Sequence, residues 1–162
     1  GQGITATVNS LKKNVIQVII KGTSEFNQRD VYIVGQSGGI IYHKEKEKMV
    51  KGGAIITIPK SKLPPGILHI TIFDSLKIPR FERLVFKKPD NEMFIDLKPG
   101  NENPGYRDTE EVKVKIKDQY GNPVNGAHLS VAVTDAAKIA KPGYAEDIQT
   151  RLLLQSDLVG TI

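Results

Sequence analysis

Three histidines, His43, His69 and His128, are the side chains of this chain best suited to acid–base chemistry. A histidine titrates near neutral pH and can act as a general base or bind a metal. None of the three lies in an H-x-H, H-E-x-x-H or H-x₃₋₅-H spacing, so no metal site made from neighbouring residues is indicated. His69 belongs to the strand-like run ILHITIF, which favours a packed or edge position, and His128 is expected to be solvated.

Patterns for nucleophilic, phosphate and calcium chemistry are also missing from the sequence. It has no cysteine, no G-x-S-x-G elbow and no phosphate-binding glycine loop, since its Gly-Gly pairs lie between predicted strands. For Asp118, in DQYGNP, organising its own turn is favoured over binding calcium. We therefore expect no catalytic residue, no cofactor, no metal and no enzyme activity. A hydrolase would need the fold to bring His43 or His69 close to a carboxylate.

The most charged stretch is HKEKEKMVK, residues 43–51. At the two-residue period of a strand, Lys44, Lys46 and Lys48 share one face and the intervening glutamates share the other. Both faces are then polar, which predicts an edge strand, where lysines discourage aggregation. The alternative is that Lys44, Lys46, Lys48 and Lys51 form a patch for an anionic ligand. The glutamates and the lack of neighbouring aromatic residues argue against nucleic acid.

Strands must position these residues, because β-rich runs alternate with turn signals across the first ninety residues. Such spacing, about 8–12 residues, is typical of an antiparallel all-β sandwich. The Gly38-Gly39 pair suits a two-residue hairpin loop. Seven strands are predicted: ITATV (4–8), NVIQVIIK (14–21), DVYIVGQ (30–36), IIYHKEKE (40–47), AIITIP (54–59), ILHITIFD (67–74) and RFERLVFK (80–87).

A domain boundary is predicted near residue 90. Residues 1–90 carry 15 Lys/Arg and 7 Asp/Glu, whereas residues 91–162 carry 8 and 11. The polar, proline-containing KKPDN run at 87–91 is typical of a linker. We expect an all-β chain: a seven-stranded antiparallel β-sandwich at 1–89, then a partial second sandwich at 91–162 with one short helix.

The second region starts with two strand-like runs, MFIDL (93–97) and EVKVKIKD (111–118). A turn at 121–123 then leads to a third run at 127–135. Apolar residues alternate with polar ones in this run and would share one face of a strand: Leu129, Val131 and Val133.

Residues 145–158 are the best helix candidate. Acidic residues occupy the first turn, where they favour the helix dipole, and Ile148 and Leu152 share one predicted apolar face. The helix is assigned to the second module. We expect that module to be truncated at its C-terminus, with its missing strands beyond residue 162.

Three segments resemble macroglobulin-like (alpha-2-macroglobulin-type) β-sandwich domains of exported bacterial envelope proteins. LPPGILHITIFDSLKIPRFERLVF (63–86) is similar to the end of one such domain, and YRDTEEVKVKIKDQYGNPVNGAHLSVAVTD (106–135) to the opening strands of the next. DIQTRLLLQSDLVGTI (147–162) is similar to the segment that follows. The family often has Pro-Arg-Glu near the Tyr106 loop, where this chain reads RDTE at 107–110.

The resemblance implies a non-catalytic structural or interaction module of a larger exported cell-envelope protein, in the periplasm or at the outer membrane or cell surface of a Gram-negative bacterium. Such modules often lie upstream of the plug region of TonB-dependent receptors, which links them to outer-membrane transport. Their partners are other proteins or other domains of the same chain. The protease trap of macroglobulins is not implied, because it needs a thioester cysteine.

The alternative is a glycan- or anionic-polymer-binding module for envelope polysaccharide or lipopolysaccharide. Tyr42, Tyr106 or Tyr144 beside the 44–51 lysines would then provide contacts. No nucleic-acid partner is expected. No membrane span is expected either, because no run of 18 apolar residues occurs.

Overall fold

Seven antiparallel strands form two sheets in the first part of the chain. The computed structural model describes residues 3–101, 103, 105–135, 138 and 148–155. Strands β1, β2 and β5 form a three-stranded sheet, and β4, β3, β6 and β7 form a four-stranded sheet in that order. The strands are β1 (Ile4–Asn9), β2 (Val15–Gly22), β3 (Asp30–Ser37), β4 (Ile40–Lys48), β5 (Gly53–Pro59), β6 (Gly66–Phe73) and β7 (Pro79–Lys87).

The all-β sandwich fold is therefore confirmed, and the bounds of all seven predicted strands lie within one residue of those observed. The chain divides into two units between Pro89 and Asp90. The first unit is the sandwich together with a helix described below, and the second is Asp90–Ala145.

Apolar residues on one side of each sheet form a single core in the first unit. On β2, Ile16, Val18 and Ile20 are fully buried, whereas the residues between them are only partly buried. The two-residue period of a strand produces this division into an inner and an outer face. Ile33 and Ile70, on the four-stranded sheet, are fully buried in the same core. Burial of one such side chain contributes about 1.5–3 kcal/mol.

Two hairpins, β3–β4 and β6–β7, belong to the four-stranded sheet. β3 and β4 are joined by Gly38 and Gly39, whose φ values of 55° and 76° suit a two-residue hairpin and confirm that prediction. In the β6–β7 hairpin, Asp74 is only 3% exposed. Its Oδ1 accepts hydrogen bonds from the backbone N–H groups of Leu76 (2.8 Å) and Ile78 (3.0 Å). The side chain thus replaces water for two donors of the turn.

The second unit contains a two-stranded antiparallel sheet of β8 (Met93–Pro99) and β9 (Val112–Asp118). These are the two strands predicted at 93–97 and 111–118. The prediction of a third strand at 127–135 is wrong. Among the described residues of this unit, that segment forms no strand and pairs with neither β8 nor β9. Alternation of apolar and polar residues predicts which face a strand would bury. A strand also needs a neighbouring strand with which to form backbone hydrogen bonds. After β9, Lys117 forms an isolated bridge with Pro123, and the described residues from 124 to 135 join no strand.

The helix α1 spans Ile148–Leu153. Residues 145–147 and 156–158 of the predicted helix lie outside the described residues. The predicted apolar face is not buried, since Ile148 and Leu152 are 74% and 63% exposed. Instead the helix approaches β6 through its backbone: a Cβ added to Gly66 would lie 3.3 Å from the Leu153 carbonyl oxygen. The helix is accordingly part of the first unit, although the sequence pattern assigned it to the second.

Within the described ranges no helix could span a bilayer, since α1 has six residues.

Candidate functional site

His43 and His69 each lie near a carboxylate, the arrangement that a hydrolase would need. His43 Nε2 is 3.1 Å from Glu45 Oε2 at the edge of the four-stranded sheet. The side chain is only 14% exposed, and within the described residues its Nε2 atom is buried and makes no hydrogen bond. The contact joins two residues of the same strand, two positions apart, so it requires no long-range arrangement.

His69 Nε2 lies 3.6 Å from Glu82 Oε2, across the β6–β7 pair. His69 also lines a cavity of about 170 Å³ together with Ser37. A nucleophilic serine needs a hydrogen bond to its base. In the part of the chain that the structure describes, no hydrogen bond joins Ser37 to His69. His69 and Glu82 therefore form a partly exposed contact on the surface of the sheet. His128 is exposed, as predicted.

The Asp118 carboxylate organises its own turn. Its Oδ1 accepts hydrogen bonds from the backbone N–H groups of Asn122 (2.8 Å) and Tyr120 (2.9 Å), and its Oδ2 accepts one from the Asn122 side chain at 3.1 Å. The Asn122 N–H is the largest cause of a lowered pKa of Asp118, followed by the Asn122 side chain. The turn interpretation is therefore confirmed. The described residues contain no group of three or more His, Asp or Glu side chains placed to hold a metal ion.

A lysine face occupies the edge of the four-stranded sheet. We use this name for Lys44, Lys46 and Lys48 of β4 together with Lys77 of the β6–β7 hairpin. β4 is an edge strand, as predicted, and its three lysines are exposed while the intervening glutamates are half-buried on the other side. Lys51 follows the end of β4, in a turn with a φ of 52°, so it does not belong to the strand row, and the four-lysine patch stays a prediction.

The lysine face surrounds Tyr32 and Asp30 of β3, which pair across the sheet with Lys46 and Lys48. Lys46 Nζ lies 2.8 Å from Asp30 Oδ2. Lys77 Nζ lies over the Tyr32 ring, 2.6 Å from its centroid, and Lys46 Nζ is 6.0 Å from that centroid. The hydrogen bond from Lys46 is the largest cause of a lowered pKa of Asp30, and the charges of Lys46, Lys48 and Lys77 lower it further.

Lys77 was not found from the sequence because it is 45 positions from Tyr32, and only the β3–β6 pairing brings its hairpin there. Of the tyrosines proposed as glycan contacts, Tyr42 is partly exposed and lies on β4, where the register against β3 shifts. Tyr106 belongs to the second unit, and Tyr144 lies outside the described residues.

An apolar ribbon face is the second candidate surface. β8 and β9 pair so that Ile95 lies opposite Ile116 and Leu97 opposite Val114. The opposite side of the ribbon is mostly charged, with three lysines from β9 alone. The apolar ribbon face consists of Met93, Ile95, Leu97, Val112, Val114 and Ile116. Apart from the half-buried Ile116, these side chains are between 39% and 62% exposed.

The fold and these surfaces define a mostly β protein, with a two-sheet sandwich in the first unit and a β-ribbon with an exposed apolar side in the second. No family model, no curated protein and no solved structure matches this chain. The macroglobulin-like assignment remains a prediction from the three quoted segments.

Proposed function

We propose that this chain is a non-catalytic structural and interaction module of a larger exported cell-envelope protein, linked to outer-membrane transport. The observation that carries the proposal is the apolar ribbon face. A contiguous apolar surface of this kind is typical of an interaction site.

The ribbon has the chemistry of one layer of a sandwich. Isolated two-stranded hairpins are marginally stable in water, and a sheet with one apolar side gains stability when a second layer covers that side. Two cross-strand pairs, Ile95 with Ile116 and Leu97 with Val114, form the centre of this apolar surface. A second sheet would pack about 10 Å away from it.

The occupant that fits this face is an apolar β-sheet face from another module of the same protein. The charges of the ribbon support this choice. Lys113, Lys115 and Lys117 lie on the opposite side, so the side to be covered is free of lysine. A sheet presenting alternating apolar residues could cover the middle of this side without burying a charge, because Asp118, which shares the side, lies at its end opposite Met93 and already accepts hydrogen bonds within its own turn.

The cellular setting rests on the resemblance of residues 63–86, 106–135 and 147–162 to macroglobulin-like domains. These domains belong to exported proteins of the Gram-negative envelope, and the proposal places this chain in the periplasm or at the outer membrane.

Hydrogen exchange tests the coverage of the ribbon. Amide exchange in Met93–Pro99 and Val112–Asp118 should be measured in this chain alone and in the protein made from its full reading frame. We expect about tenfold or greater protection of these amides in the full protein, since a covering sheet raises the free energy of local opening. Amides of β2 and β6, in the sandwich core, provide the internal control and should exchange equally slowly in both.

Equal exchange of the ribbon in the two proteins would contradict coverage by another module. A reading frame that contained no further β-sandwich module would contradict the larger-protein proposal directly. A substrate turned over by the chain, with loss of turnover in a His69→Ala variant, would contradict the non-catalytic assignment.

A further inference from the structure

We propose that the lysine face binds a linear anionic polysaccharide, one that carries sulfate, phosphate or carboxylate groups along its length. This inference is independent of the ribbon, because all of its residues belong to the first unit. It assigns the alternative function, a glycan- or anionic-polymer-binding module, to one surface and to one class of ligand.

The cations form a row instead of a pocket. Lys44, Lys46 and Lys48 follow one another at every second position of β4, with their side chains exposed. Because a strand rises about 3.3 Å per residue, the row is about 13 Å long. An extended polymer with repeated negative groups can contact such a row at several points, whereas a small anion would contact one lysine.

The lysine face has a positive net charge, because few carboxylates of the first unit lie close to it. In the described part of the sheet, Asp30 is the carboxylate next to the row, and it is bound to Lys46. Glu82 shares the outer side but lies on β7, three strands from Lys44. At about 4.8 Å between strands, that is about 14 Å away. The glutamates of β4 point to the other side of the strand.

Protection of the sheet edge accounts for the three lysines of β4 but not for Lys77. Lys77 comes from the β6–β7 hairpin, has a φ of 64°, and still places Nζ over the ring of Tyr32. The hairpin that carries it is fixed by the buried Asp74 carboxylate. A fourth cation is thus held beside the row by two separate features of the fold.

The same contact favours polysaccharide over single-stranded nucleic acid. Proteins that bind single strands stack bases on exposed aromatic rings. Here the ring of Tyr32 is covered by Lys77 and approached by Lys46, so it is not free to stack. The ligand that fits is one recognised by charge along its backbone.

Binding of dextran sulfate, with neutral dextran as reference, tests the proposal. The variant Lys44→Gln/Lys48→Gln/Lys77→Gln removes three cations and leaves the Lys46–Asp30 pair intact. The matched control, Lys12→Gln/Lys13→Gln/Lys62→Gln, removes the same charge from exposed positions elsewhere on the first unit. We expect dextran sulfate to bind the wild type and the control, more weakly at high salt. The first variant should bind about tenfold more weakly, because three exposed ion pairs are lost.

Melting temperatures of both triple variants check that each remains folded. A Lys44→Gln/Lys48→Gln variant, which keeps Lys77, should lose less affinity for dextran sulfate than the triple variant. Equal weakening by the two triple variants would overturn the proposal, since net charge alone would then explain binding. Binding of neutral dextran with the same affinity would also overturn it. So would equal or tighter binding of polyuridylate, which would assign the face to nucleic acid.

Discussion

Arg80 Nε donates a hydrogen bond to Asp74 Oδ2 at 2.8 Å, although Asp74 is buried and Arg80 is partly exposed. With the N–H groups of Leu76 and Ile78 on the other oxygen, the carboxylate has three donors. Asp74 therefore connects the end of β6 to the start of β7 and fixes the hairpin between them.

Replacing Asp74 should destabilise the first unit. In Asp74→Ala two backbone N–H groups lose their acceptor and Arg80 loses its partner, so we expect a loss of about 2–4 kcal/mol in the free energy of unfolding. Urea denaturation measures it. Asp96→Ala, at an exposed position of the ribbon, is the control and should change the same quantity by less than about 0.5 kcal/mol. A small loss in Asp74→Ala would show that water replaces the carboxylate.

The contribution of Asp74 should disappear in acid. Burial by itself raises the pKa of Asp74, but the hydrogen bonds from Ile78, Arg80 and Leu76 outweigh it, so the pKa lies below its usual value. A lowered folded-state pKa stabilises the fold above the unfolded value of about 3.9, and this stabilisation is lost as the pH falls through the folded-state pKa.

The unfolding free energies of the wild type and Asp74→Asn should therefore converge below about pH 4. Denaturation from pH 7 to pH 3 measures the difference, in which contributions from Asp30 and Asp118 cancel. A difference that stays constant over this range contradicts the assigned hydrogen bonds.

Core and outer-face isoleucines should respond differently to truncation. Ile70→Ala leaves a cavity in the fully buried core and should cost about 2–5 kcal/mol. Ile55→Ala removes the same atoms from the outer face of β5, where the side chain is 62% exposed, and should cost less than about 1 kcal/mol. Chemical denaturation of the two variants checks this, and similar losses would mean that the outer face of β5 is covered.

Two glycines with similar backbone conformations should tolerate alanine unequally. Gly39 and Gly52 have φ values of 76° and 74°, which cost an alanine about 1–2 kcal/mol at either site. The added Cβ finds open space at Gly39 but lies 3.0 Å from the Gly22 carbonyl oxygen at Gly52. Because Gly22 N–H also donates to the Gly52 carbonyl at 2.8 Å, the backbone cannot withdraw without weakening that bond.

Gly52→Ala should thus lower the melting temperature more than Gly39→Ala. Thermal denaturation of both variants under one set of conditions measures the order. The reverse order would show that the Gly22–Gly52 contact relaxes freely.

The apolar ribbon face should bind a hydrophobic dye. We expect Leu97→Lys/Val114→Lys to lower the fluorescence of the bound dye roughly twofold or more. Lys98→Gln, on the opposite side of the ribbon, should leave it unchanged. Urea unfolding of the sandwich should be unaffected by either variant. Undiminished fluorescence in the double variant would locate the dye elsewhere.

Local patterns predicted much of the fold. The alternation of Ile16, Val18 and Ile20 identifies a half-buried strand, and Gly38-Gly39 identifies a hairpin, because both depend on a few adjacent residues. Asp74 follows a strand and precedes a turn, a pattern typical of a side chain that bonds its own turn, and this signal could have identified it.

Features that depend on distant partners could not be predicted in this way. Lys77 meets Tyr32 only because β3 pairs with β6, and a periodic pattern does not specify that pairing. The same reason explains why segment 127–135 was predicted to be a strand and why α1 was assigned to the second module. Periodicity predicts which side chains share a face, but the covering layer must come from another part of the polypeptide or from a partner.

The strand pairing of the sandwich also determines how the chain must reach its native state. Val15 pairs with Pro59 and Tyr32 with Phe73, residues 44 and 41 positions apart, so the two sheets cannot be completed from adjacent hairpins alone. Closing such loops loses chain entropy before any core contact compensates for it. The first unit consequently has the topology of a slow folder, whereas β8 and β9, separated by a single loop, can pair early.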